Sequence, residues 1–308
     1  MSHRLTYSSY HQGEIVPAKE VKLHTDTEAF KFGNLVLDQA IACWSKEENQ
    51  LYAFRLEDHC RRLWESMRIT RLSSAYTPVQ FEQASLALLE ANRAKHQDVC
   101  IRFMIYKGLP DDGPDGVGFT IFNYGLSAES LAEPPVAKNV VLSSWTKLPD
   151  HVMPPRANSA AKHANARYAS QEAAARGGGD ALMLNWRGKV AEYTSASAFF
   201  VRQGKVVTPS ITSDILEGIT RHTCIQLLEQ VHGIKVEERE VDPSELYVLD
   251  EAWQGDTICG LTPVVSIDHM PVGDGKPGPI YRQLRETFIS AHLGQCEICR
   301  EWCTPIAL

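Results

Sequence analysis

The hydrophobic spacing switches period several times along this chain, and that switching constrains the fold more than any single motif. NLVLDQAIACW and NQLYAFRL alternate apolar and polar residues on either side of the polar turn SKEEN, which predicts two strands of a meander. From Glu57 the spacing becomes helical, with Leu63, Met67 and Leu72 set among charged neighbours, and a second helix is expected from Pro78 to Ala94. DVCIRFMIYKG and GVGFTIFNY return to alternation across the turn-rich LPDDGPD, and the earlier GEIVPA and KLHTD read as short strands. The first half is therefore mixed α and β.

At 308 residues the chain exceeds the usual size of one compact unit. GLSAESLAEPPVAKN is small, proline-bearing and weakly hydrophobic, so residues 125–139 are expected to link a small domain, 1–124, to a larger one, 140–308. In the second half NVVLSSW reads as a strand, a helix is expected over 164–176 with GGGD closing it, and ALMLNWRGKVAEYTSASAFFVRQGKVVTP reads as three strands joined at NWRG and RQGK. A helix over 220–231, a strand at KVEEREV, a short helix at SELYVL, a strand pair around Thr257 and Val265, and a helix over 279–292 complete the expectation.

Net charge is −7, with 31 basic and 38 acidic residues, so the broad positive field needed for a phosphate backbone is missing and nucleic acid is not an expected partner. No stretch reaches the roughly 18 apolar residues of a membrane helix, and MSHRLTYSSYHQG has no apolar core of a secretory signal, so a cytoplasmic location is expected. Cys43, Cys60, Cys100, Cys224 and Cys259 are scattered, and most sit in contexts where a reduced thiol acts as a small hydrophobe. Cys296, Cys299 and Cys303 have the spacing of one helical face, with His292 one turn upstream. A single straight helix does not wrap four ligands around a tetrahedral metal, so a reduced, redox-sensitive or packing cluster is the expectation and no metal is assigned.

DILEGITRHTCIQLLEQV places Gly218, Ile219 and Thr220 at the start of a helix. Unpaired N–H groups and the positive end of the helix dipole suit a phosphate there. A plain helix cap with Thr220 satisfying the first turn is the other reading.

The order of segments in the second half then narrows the choice: SSWTKLPDHVMPPRA, a lysine-bearing helix start, RGKVAE, VTPSITSDILEGITR and GDTICGLTPVVSIDHMPVGDGKPGP. This order resembles the class IV aminotransferases, the pyridoxal-phosphate family that includes branched-chain aminotransferases, D-amino acid aminotransferases and aminodeoxychorismate lyases. EAFKFGNLVLDQ, AFRLEDHCRRL and CIRFMIYKG resemble the family's small domain, and the likeness runs from Gly13 to Leu293. It implies a two-domain fold type IV enzyme, a small α/β domain with a larger pseudo-barrel α/β domain. It further implies pyridoxal 5'-phosphate as cofactor, an amino acid and a 2-oxo acid as substrates, and a homodimer.

Carried over by position, the resemblance makes Arg62 the arginine that pairs with the cofactor phosphate, a task suited to a planar fork. Ile219 and Thr220 would serve the same phosphate with Gly218 beside them, Thr257 would add a hydroxyl, and Leu216 would pack under the pyridine ring. Glu192 matches the glutamate facing the pyridine nitrogen, where a carboxylate keeps the ring protonated and electron-withdrawing. Ungapped alignment puts Asn158 where relatives have the Schiff-base lysine, Lys162 where they have an asparagine, and His163 where a tyrosine is common. Four residues are about one helical turn, roughly 6 Å, within reach of a lysine side chain. Lys162 is therefore expected as the relocated amine. On the substrate side the resemblance points to Phe32, Gln39, Arg102, Tyr193 and Cys259, with Tyr193 and Ser197 standing where a glycine and an asparagine are usual and Asp256 and Gly260 altering the loop around Thr257. A lyase of the same fold and a cofactor-binding protein without transamination are the alternatives.

Overall fold

The computed structural model describes residues 5–72, 76–93, 96–126 and 131–307, which form two compact units. The first comprises residues up to 133 together with 157–161 and 289–308; the second comprises 134–156 and 162–288. In chain order the elements of the first half are β1 (Leu5–His11), β2 (Glu14–Pro17), α1 (Glu28–Phe32), β3 (Leu35–Ser45), β4 (Gln50–Phe54), α2 (Leu56–Ile69), α3 (Pro78–Asn92), β5 (Val99–Lys107) and β6 (Val117–Gly125). There follow β7 (Lys138–Thr146), α4 (Ala160–Ala175), β8 (Asp180–Leu184), β9 (Val190–Tyr193), β10 (Ser197–Arg202), β11 (Lys205–Pro209), α5 (Ile219–Gln226), β12 (Val236–Arg239), β13 (Glu251–Asp256), β14 (Gly260–Ile267), β15 (Met270–Pro271), α6 (Pro279–His292) and β16 (Cys303–Ile306).

The first unit is built on an antiparallel sheet in the order β16-β4-β3-β5-β6-β1-β2. Alternation along β3 turns Val36, Asp38, Ala40 and Ala42 inward. Leu56, Leu63 and Met67 of α2 and Phe81 and Leu88 of α3 share a buried core with Val36, Ala40, Ile101, Phe103 and Phe119. Burying a side chain of this size stabilises by about 1.5–3 kcal/mol, so this face holds the helices to the sheet. Thr77 and Gln80 form a capping box ahead of Pro78, which fixes where α3 starts.

The second unit carries a mixed sheet, β12-β11-β10-β13-β14-β7-β8-β9, with β15 on β14. Its two ends approach: the Val190 N–H at the β9 edge donates to the Val241 carbonyl just past β12, at 2.9 Å. That contact curls the sheet into a half-barrel around Leu182, Val190, Tyr193, Phe200, Val207 and Val264. Ala169 and Ala173 of α4 cover the outside against Val141, Ala181 and Met183.

Four expectations change. KLHTD forms no strand, whereas β1 is one, and a short helix occupies Glu28–Phe32. The segment read as one strand from Val190 to Arg202 is two, because the Tyr193 N–H folds back onto the Ala196 carbonyl at 2.9 Å. The cysteine tail is not one helix: a 3-10 turn over Glu297–Trp302 leads into β16, which pairs with β4 and so belongs to the first unit rather than to a domain over 140–308. The expected linker contains the change of unit at residue 133, but its end is already β7.

Candidate active site

The ring-facing position suggested by the resemblance is occupied by a carboxylate held from two sides. Glu192 lies buried near the end of β9, its Oε1 accepts from Lys147 Nζ at 2.5 Å, and its Oε2 accepts from the Leu216 N–H at 3.2 Å. Lys147 is the first residue after β7, and its own N–H donates to the Leu184 carbonyl of β8 at 2.8 Å. Since β8 lies between β7 and β9, the pairing of three successive strands sets the spacing of this ion pair. Lys147 draws no assignment from the sequence; a lone lysine closing the strand NVVLSSWT is the only signal it offers.

Lys147, Lys162 and Glu192 line one small cleft together with Met153, Pro155 and Asn165. Lys162 lies in the first turn of α4, half-buried, with Nζ donating to the Pro155 carbonyl at 3.2 Å. The amine expected from sequence and the carboxylate expected from sequence therefore share a cleft, and a second amine sits on the carboxylate.

The helix start expected to act as a phosphate cup has no side-chain cap at Gly218. The N–H groups of Ile219 and Thr220 have no acceptor among the described residues, although both residues are buried. Thr220 thus does not act as the plain cap. Two close approaches shape the cup. A Cβ on Gly218 would stand 2.9 Å from Ser197 Oγ, and one on Gly255 would stand 3.3 Å from Thr220 Cγ2. The second contact brings the end of β13, just before the turn to β14, against the start of α5. Thr257 lies in that turn, which the Asp256 carboxylate fixes by accepting the Ile258 and Cys259 N–H groups at 2.9 and 2.8 Å.

In the first unit Arg62 is held by a buried carboxylate. Its Nε and Nη2 donate to Asp38 Oδ2 and Oδ1, each at 2.8 Å, and His59 Nδ1 contacts Oδ1 at 2.8 Å. Burial works against the Asp38 charge, yet Arg62 and His59 outweigh it and hold this carboxyl down at about 2. Burial lowers His59 against the pull of Asp38. Asn158 is buried in the same unit. Its N–H donates to Ser66 Oγ at 3.1 Å, the Ser66 hydroxyl donates to the Arg62 carbonyl at 2.8 Å, and its own carbonyl accepts from the Leu37 N–H at 2.9 Å. Gln39 Oε1 accepts from Arg102 Nη2 at 2.6 Å, so these two expected substrate residues are joined, whereas Phe32 is exposed on α1.

Tyr193 does not face the Glu192 cleft. Strand alternation turns it to the other side of β9, where it is fully buried in the barrel core and its hydroxyl has no hydrogen-bond partner among the described residues. Cys259 is exposed at the tip of the β13–β14 turn. In the tail, Cys296 and Cys299 have their sulfurs 2.6 Å apart, Cys303 Sγ donates to the Ala291 carbonyl at 3.1 Å, and His292 stacks on Phe54 with centroids 3.6 Å apart. Among the described residues no group of three or more His, Cys, Asp or Glu is arranged to hold a metal ion.

The donor set of the second unit fits pyridoxal 5'-phosphate: an anion-ready helix start with unused N–H groups, a buried carboxylate with both oxygens fixed, and a primary amine in the same cleft as that carboxylate.

The sequence matches the model of the amino-transferase class IV family over residues 46–267, well over half of the chain. It is 32% identical to a probable branched-chain-amino-acid aminotransferase of Aquifex aeolicus over 97% of this chain and 96% of that protein. Among solved structures it is similar to the branched-chain amino acid aminotransferase of Thermobaculum terrenum in its PLP form, with 37% identity, 99% of each chain covered and a TM-score of 0.90. It is also similar to the branched-chain aminotransferase of the archaeon Thermoproteus uzoniensis with norvaline, with 31% identity, 98% of this chain and 100% of that chain covered and a TM-score of 0.89. With these likenesses running through both units, the chain belongs to the class IV aminotransferases.

Proposed function

We propose that this protein transfers an amino group between a branched-chain-like amino acid and a 2-oxo acid, as a cytoplasmic homodimer, with Lys162 as its working amine. The observation that carries the reading is the shared cleft of Lys162 and Glu192. Pyridoxal 5'-phosphate, when bound, supplies the electron sink that weakens the substrate's α-C–H bond. The residues of the chain do the rest. In the second unit the N–H groups of Ile219 and Thr220 and the Thr257 hydroxyl would hold the phosphate, Glu192 would keep a proton on the ring nitrogen and Leu216 would pack on the ring; Arg62 is the anion partner that the first unit offers. Lys162 Nζ would accept the substrate's α-proton and hand it back in the same cleft. Arg102, fixed by Gln39, is the candidate for a substrate's distal carboxylate.

Adding amino-acid donors to the cofactor-loaded protein tests this: the absorption should convert to that of the pyridoxamine form with release of the 2-oxo acid. An unchanged spectrum across a broad donor set contradicts it.

Asn158 favours a second reading, a family member that binds the cofactor without transaminating. An amide stands where the resemblance expects the amine, and its backbone is fixed beside Arg62 through Ser66. An Asn158→Lys variant separates the two: a large gain in transamination supports the second reading, and a loss supports Lys162.

A further inference from the structure

We propose that Lys147 is a positioning residue for the amino-transfer site: it fixes the Glu192 carboxylate in the place where the cofactor's ring nitrogen is received. The proposal rests on the amino-transfer reading above.

The Lys147 ammonium is itself buried, with the side chain 10% exposed, and it reaches Glu192, 11% exposed, at 2.5 Å. A flexible four-carbon arm is normally solvated, and burying its charge is costly unless a partner is fixed in place. Here the main chain does that fixing. The Lys147 N–H is tied to Leu184, and Leu184 in turn pairs with Val190 two residues before Glu192. The ion pair therefore spans one intervening strand, and its geometry is set by sheet register rather than by side-chain choice. With the Leu216 N–H on the other oxygen, each oxygen of Glu192 has a donor and its rotation is stopped. Leu216 stands two residues before Gly218, so the same contact links the carboxylate to the start of the phosphate cup.

Two lysines in one cleft then have different duties. Lys147 is engaged with the carboxylate, whereas Lys162 Nζ donates to the Pro155 backbone carbonyl at 3.2 Å and is the amine placed for chemistry. Removing Lys147 would leave Glu192 as an uncompensated buried charge and free its side chain to turn. Arginine at the same place would keep the charge and the hydrogen bond.

The test compares the full-length wild type with Lys147→Met, Lys147→Gln and Lys147→Arg, the glutamine variant keeping a donor should the methionine variant fail to fold. The apoprotein of each is titrated with pyridoxal 5'-phosphate by absorbance, the absorption of the loaded protein is followed against pH, and the apoprotein is melted. Met and Gln should weaken cofactor binding at least tenfold and displace the pH profile of the bound cofactor's absorption, and Arg should restore both to within threefold of wild type. If Met or Gln lowers only the melting temperature and leaves affinity and pH profile unchanged, Lys147 is merely structural and the proposal is overturned. Borohydride attachment of the cofactor to Lys147 itself would also overturn it. A wild type that takes up no cofactor at all would overturn the amino-transfer reading, and this proposal with it, an outcome distinct from a silent substitution.

Discussion

Asp38 grips Arg62 with two parallel hydrogen bonds of 2.8 Å from the floor of the first unit's core, where the carboxylate is fully buried. A paired, planar geometry of this kind fixes the guanidinium more firmly than a lysine could be fixed. It also makes the fold sensitive to acid. The Asp38 carboxyl sits at about 2, against an ordinary 3.8. Its contribution, about 2–3 kcal/mol, is present above the unfolded value and lost as pH falls from about 4 to 2. His59, lowered by burial, adds a loss that begins higher, as pH drops below 6.5 and the unfolded chain takes up a proton the folded one resists. Urea unfolding at a series of pH values from neutral down to about 3 should show stability declining over both windows, and Asp38→Asn should flatten the lower one. Equal acid sensitivity in the variant would remove Asp38 from the account.

Glu192→Gln keeps the size and the hydrogen bonding of the side chain but not its charge. Transamination should fall by about a hundredfold or more, the scale seen when one fixed electrostatic group is removed from an active site, and the apoprotein should also melt lower, because the buried Lys147 ammonium loses its counter-charge. Steady-state kinetics with several donors measure the first effect. Near-normal turnover would mean that the ring nitrogen is received elsewhere.

The GKPGP segment has a packing reason for its second glycine. Glu251 accepts the N–H groups of Ile280 and Tyr281 at 3.1 and 2.9 Å, capping the start of α6, and a Cβ on Gly278 would fall 2.1 Å from its carboxyl carbon. Gly278→Ala should destabilise the protein by about 1–3 kcal/mol through overpacking, and Glu251→Ala by about 0.5–2 kcal/mol through loss of the cap. Chemical denaturation checks both, and a neutral Gly278→Ala would show that the carboxylate has room to move.

Tyr193→Phe removes a buried hydroxyl that has no partner among the described residues. Removing an unsatisfied polar atom should be neutral or stabilising by about 1 kcal/mol, with kcat and KM unchanged. A clear loss of activity would return Tyr193 to the substrate side.

The strands and helices with strong periodicity are legible in the sequence: NLVLDQAIACW is β3 almost to the residue, and Pro78 opens α3 as expected. β1 is not, because LTYSSYH is polar and its pairing with β2 and β6 comes from neighbours in space. β16 is hidden for a related reason: four residues containing Pro305 form an edge strand only because β4, from the opposite end of the chain, offers a partner. At the site, motif order points to Glu192 and Lys162. Lys147 escapes it because its partner lies 45 residues further on, across β8, and only sheet order joins them. Tyr193 is misplaced because the resemblance assigns it by its position after the ring-facing glutamate, whereas strand alternation turns the neighbour of a cleft-facing Glu192 the other way.

The central proposal is that Lys162 does the work of the lysine that Asn158 replaces. Borohydride reduction of the cofactor-loaded wild type, followed by protease digestion and mass spectrometry, tests that most directly. The account predicts the reduced pyridoxyl group on the peptide containing Lys162, and its disappearance in Lys162→Ala. A label on Lys147, or bound cofactor with no label on any lysine, would contradict it.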